Sequence, residues 1–153
     1  MRGLRNLALA LNETKEYEEA LAACDRLENE CEDAMSANAH RAPVYLNTGR
    51  WADAADAALY NRNVDASESL VAALAQYEAG RRDEAVVSFL HGALSSPRAA
   101  KMLLGRRTAR PEHHLEARDH HTGVHLLRVL RPFLRQGATA RSAISDTSSR
   151  IPT

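Results

Sequence analysis

The sequence predicts an all-α fold, and three observations predict it. Apolar residues recur at helical spacing from Leu4 to Leu134, the pattern of amphipathic helices rather than of alternating strands. Alanine is abundant while aromatic residues make up only 5%, which suits closely packed helices and deprives a sheet of the bulky residues it uses. A turn, an aromatic residue and, three places later, an alanine recur along the chain, each time leading into an apolar stripe. The 153 residues suffice for one domain.

The elements follow in order. Leu4, Leu7, Ala8 and Leu11 form the stripe of a first helix, and the turn Thr14-Lys15-Glu16 leads to Tyr17, Ala20 and Leu21 of a second. That second helix carries Tyr17, Leu21, Cys24, Leu27 and Cys31 on one face. The pattern returns 34 residues later as Thr48-Gly49-Arg50-Trp51 with Ala54, preceded by Val44, Tyr45 and Leu46. Pro43 must either open the helix that holds these three or kink it, at about 3 kcal/mol for an interior proline. A third copy, Gly80-Arg81-Arg82 with Ala85, arrives 31 residues after the second and runs through Phe89 and Ala93 to Pro97; Leu70, Ala73, Leu74 and Tyr77 precede it. Gly49 and Gly80 supply the left-handed conformation that ends a helix.

The periods are those of helix-turn-helix repeats, in which each pair leaves an apolar face that only its neighbours cover. These units resemble the tetratricopeptide repeat family over roughly residues 4–97. The late small residue of the first helix is Ala8 and Ala42, and the closely packed small residues are Ala20, Ala54 and Ala85. Lys15 stands where the family has a turn glycine, Arg82 where the third unit would have an aromatic, and the terminal proline is found only as Pro97. The expected division is three repeats in 1–97 (about 1–34, 35–65 and 66–97), capping helices in 98–135 and a disordered tail in 136–153.

Beyond Pro97, residues 98–104 read as a short helix stopped by Gly105, and 106–111 as a basic linker. A last helix starting near Asp119 or Thr122 and running through Val124, Leu126, Leu127, Leu130, Phe133 and Leu134 is expected to cover the open end of the stack, with Pro132 fraying its last turn. The Ser-, Thr-, Ala- and Arg-rich end has too little apolar mass to fold.

Chemistry is sparse. No phosphate loop, nucleophile elbow or nucleotide fingerprint occurs, so neither catalysis nor a cofactor is expected. His121 and His125 are four apart, a spacing at which two imidazoles share a metal, with Glu112, Glu116 and Asp119 nearby. The glutamate of a hydrolytic zinc helix is missing, however, and both histidines fall off the apolar stripe, so a solvated face is the expectation. Cys24 and Cys31, seven apart, are separated by about 10.5 Å of helical rise, beyond disulfide reach, and read as small hydrophobes. No apolar run reaches the roughly 20 residues of a membrane helix. A cytoplasmic protein with reduced thiols is expected, and the Arg-rich, Lys-poor composition fits a GC-rich bacterial source.

The formal net charge is zero, but residues 1–76 hold 7 basic and 13 acidic side chains and residues 77–153 hold 13 and 7. The basic patch Arg98, Lys101, Arg106, Arg107 and Arg110 would meet phosphate or an acidic peptide, yet it lacks the interleaved aromatics of a nucleic-acid surface. The resemblance implies a non-enzymatic scaffold that holds a peptide or partner protein in a groove lined by the first helices. By position these are Arg5, Asn6, Leu9 and Asn12, then His40 and Asn47, then Leu70, Val71, Leu74 and Glu78. Only Arg5 and Asn6 approach the Lys/Asn carboxylate clamp known in that family. The alternatives are a fragment or subunit of a larger repeat protein, self-associating through its first repeat, or a weak nucleic-acid or metal module in the His-rich C-terminal region.

Overall fold

A computed structural model describes residues 2–136, and among them all regular structure is helical. The helices are α1 (Arg2–Glu13), α2 (Tyr17–Cys31), α3 (Ala34–Asn47), α4 (Trp51–Tyr60), α5 (Glu68–Glu78), α6 (Arg82–Ser95), α7 (Pro97–Leu103), α8 (His114–Val129) and α9 (Arg131–Gln136). Each packs against the next in sequence; in addition α1 meets α3 and α3 meets α5, so the first members of successive pairs are neighbours. The tail expected to be disordered lies, from residue 137 on, outside the described residues.

Three turns have the same construction. Lys15, Gly49 and Gly80 hold φ of 66°, 78° and 80°, and each donates its N–H to the carbonyl three residues back. The next residue, Glu16, Arg50 or Arg81, donates to the carbonyl five back, at 2.8 Å in each case, and its own carbonyl accepts the N–H of Ala20, Ala54 or Ala85. These bonds satisfy the orphan carbonyls of one helix while starting the next. All three alanines are fully buried. A small side chain there lets the paired helices approach, and α6 lies close on α5 at Gly92 as well: a Cβ there would stand 2.7 Å from Leu70 Cγ.

Pro43 neither opens α3 nor ends it. The helix begins at Ala34, where Asp33 accepts the N–H of Ser36 at 3.1 Å, and Pro43 is its tenth residue, buried. The cost of the lost bond is borne by packing, since Ala42, Val44 and Leu46 around it are core residues.

The C-terminal segment departs from the sequence expectation in three ways. First, α8 begins at His114, ahead of Asp119. Its polar first turns are anchored by Arg98, which pairs with Glu116, and by Asp119, whose carboxylate accepts the Arg98 and Ala99 N–H groups at 2.7 and 3.1 Å and so caps α7 from another helix. Second, Pro132 does not fray a helix; the chain breaks at Leu130 and resumes as α9 with Pro132 in its first turn. Third, α8 pairs with α7 but also reaches α1, and α9 reaches α3, so the segment crosses the first-helix side rather than only closing an end. Leu126, Val129, Leu130 and Phe133 thereby join the core that contains Leu46, Leu70 and Leu74. A smaller cluster of Ala8, Ala23, Cys24, Leu27 and Ala37 holds the N-terminal pair.

Candidate functional site

The polar centre of the first-helix side is built from two asparagines near helix ends. Asn12 lies in the last turn of α1 and Asn47 closes α3, and each is 4% exposed. Buried amides require partners, because an unpaired one costs about 1–3 kcal/mol. The Asn47 amide nitrogen donates to Asn12 Oδ1 at 3.0 Å and to the Val129 carbonyl at 2.9 Å; the Asn12 amide nitrogen donates to the same carbonyl at 3.1 Å. Asn47 Oδ1 in turn accepts the backbone N–H of Phe133 at 3.0 Å.

Val129 and Phe133 are four residues apart, so in an unbroken helix they would bond to each other. Pro132 offers no N–H and its ring opposes continuous helix, which separates them. Asn47 fills the gap with one amide, its NH2 serving the freed carbonyl and its oxygen serving the freed N–H. Phe133 is held on its other side by Trp51, ring centroids 5.7 Å apart at 67°, an edge-to-face contact. Arg128 pairs with Glu13 beside the clasp, joining the basic C-terminal part to the acidic N-terminal part.

The ten residues expected to line a groove do not share one environment. Asn12 and Asn47 meet in the clasp. Leu70, Val71 and Leu74 are each 1% exposed and belong to the core, so they present nothing to a partner. Leu9 packs partly buried against that core. Arg5 is tied to Asp33 at the start of α3, Asn6 is exposed, and His40 and Glu78 are half-buried. Burial lowers the His40 pKa, with the charges of His125 and Arg5 adding. The helix that carries the expected groove residues Leu70, Val71, Leu74 and Glu78, α5, holds eight consecutive buried residues, Ser69–Gln76, because α4 and α6 cover it from both sides.

His121 and His125 are exposed, and no group of three metal-capable side chains occurs among the described residues. Cys24 is fully buried, which pushes its thiol up to about 11, and Cys31 is half-buried; both are free. Of the basic patch, Arg98 is consumed internally by Glu116 and the Ala109 carbonyl, while Lys101, Arg106, Arg107 and Arg110 are exposed. No helix among the described residues is long and apolar enough to cross a membrane.

Sequence reasoning missed Val129, Phe133 and Glu13 as members of this site. Pro132 was the available signal, since a proline in an apolar helix frees backbone groups that a buried amide must then meet. Comparison with protein-family models, with curated proteins and with solved structures finds no match in any of the three.

Proposed function

We propose that the protein is a non-enzymatic interaction scaffold of tetratricopeptide-like helical pairs, whose first-helix side grips the broken end of a helix. The observation that carries this reading is the Asn12–Asn47 clasp on the Val129 carbonyl. The repeat interpretation draws support from the three equivalent turns and from the contacts of α1 with α3 and of α3 with α5. In this chain the gripped element is its own α8–α9 segment, so a partner polypeptide would have to displace it. The matching partner is an apolar helix interrupted by proline, with an aromatic residue to face Trp51.

The test uses the full chain and a labelled synthetic peptide of residues 121–136. Phe133→Ala loosens the chain's own segment without touching the grip, so the peptide should bind this variant at least tenfold more tightly than the wild type. Adding Asn47→Ala should abolish the gain. Equal binding to all three proteins, or none to the Phe133→Ala chain, rejects the reading.

A further inference from the structure

A hollow of about 450 Å³ opens beside the clasp, where the end of α1 and its following turn meet the α8–α9 junction and α9. That volume falls within the range of about 300–1,000 Å³ usual for small-molecule sites. Its charged lining is Lys15, Arg128, Arg131 and Arg135 against the single carboxylate of Glu13. Glu13 is already paired with Arg128, so that charge is cancelled. Lys15, Arg131 and Arg135 are exposed, and their side chains make no hydrogen bond or ion pair among the described residues. The helix carbonyls at this end have other partners. Those of Ala10, Leu11 and Asn12 accept the N–H groups of Thr14, Glu16 and Lys15, and that of Val129 accepts both clasp amides. Three like charges thus line one concave surface, where their fields add and favour an anion.

Lys15 gives a second, independent indication. At the two equivalent turns the left-handed position is held by Gly49 and Gly80, which adopt it without strain because they have no Cβ. Lys15 adopts φ 66° with a full side chain, and its backbone N–H makes the same bond as the glycines do. Its ammonium has no partner that would offset the strain. Strained backbone of this kind gathers at ligand clamps.

We propose that this hollow binds the diphosphate group of a small molecule, with Lys15 on one side and Arg131 and Arg135 on the other donating to its oxygens. Guanidinium forks match phosphate oxygens in pairs, and the lysine adds a point charge. Two linked phosphates bring enough negative charge to answer three cations, whereas one carboxylate does not. Among the described residues no aromatic ring lines the hollow, so a base carried by the ligand finds nothing to stack on and the phosphates alone are read. The site needs α9 in place and does not rest on a partner displacing it.

Calorimetric titration of the full-length protein in metal-free buffer with pyrophosphate, adenosine diphosphate and acetate tests the proposal. Pyrophosphate should bind at least tenfold more tightly than acetate, adenosine diphosphate should match it within about threefold, and added salt should weaken both. Lys15→Gly, which suits the turn, should weaken pyrophosphate binding at least fivefold, as should Arg131→Gln and Arg135→Gln. An Arg106→Gln, Arg107→Gln double variant, altered outside the hollow, should bind as the wild type does. Absent or acetate-like binding of pyrophosphate overturns the proposal, and so does equal affinity in the wild type and Lys15→Gly. A loss confined to the Arg106, Arg107 variant places the anion elsewhere and also overturns it. Adenosine diphosphate binding tenfold more tightly than pyrophosphate overturns recognition through the phosphates alone.

Discussion

The amide of Asn47 stands between Val129 and Phe133, donating to the carbonyl of one at 2.9 Å and accepting the N–H of the other at 3.0 Å. A side chain from α3 thus replaces a backbone hydrogen bond that Pro132 removed from the α8–α9 junction 82 residues away from it in sequence.

Asn47→Ala strands the Phe133 N–H and removes one of two donors from the Val129 carbonyl, so it should cost about 2–4 kcal/mol in urea unfolding. Asn12→Ala should cost less, about 1–2 kcal/mol, because Asn47 still serves that carbonyl. The double variant should lose less than the two single losses added together, since the residues share one network. Additive losses would mean that the two amides act separately.

Lys15 holds the left-handed conformation that glycine holds at the equivalent turns, so Lys15→Gly should stabilise the protein by about 1 kcal/mol. Gly80→Ala should cost about 1 kcal/mol from backbone strain alone, since a Cβ there meets nothing within 4 Å. Thermal unfolding of both variants checks the equivalence of the turns.

Ala54→Leu and Ala85→Leu each force a larger side chain into a fully buried site and should cost about 1–3 kcal/mol. Gly92→Ala should also destabilise by about 1–3 kcal/mol, against the preference of helices for alanine, because the new methyl overlaps Leu70 and its backbone nitrogen at 3.0 Å. An increase in denaturation midpoint for Gly92→Ala would contradict the close approach of α5 and α6.

Glu68 has a folded pKa of about 8 against an ordinary 4.5, so the folded protein holds this proton more tightly than the unfolded chain does. Its contribution to stability is full below about 4.5 and is lost as pH rises through 8. His40 is shifted down by desolvation, so its contribution is complete above 6.5 and falls only below it. Between pH 6.5 and 8.5 the Glu68 effect therefore outweighs that of His40. The wild type should lose about 2 kcal/mol across that window in urea unfolding, and Glu68→Gln should lose little.

What the sequence by itself determined is the local architecture. The alanines, the turn glycines and the aromatic that opens α2 or α4 act within a few residues of one another, so their spacing reveals helices, turns and pairing without knowledge of distant contacts. The same spacing could not reveal what would cover each face. Leu70, Val71 and Leu74 lie on a first helix and read as groove residues, but α4 and α6 enclose α5 and bury them. Asn12 and Asn47 read as surface hydrogen-bonding residues, and only the return of α8 and α9 made them buried. Asn61 and Glu68 carried no motif at all; that each keeps a buried oxygen without a hydrogen-bond partner shows only once the chain is folded. Tertiary structure decided these points because burial turns a polar side chain from a solvated group into one that must find a partner, and burial depends on the whole chain.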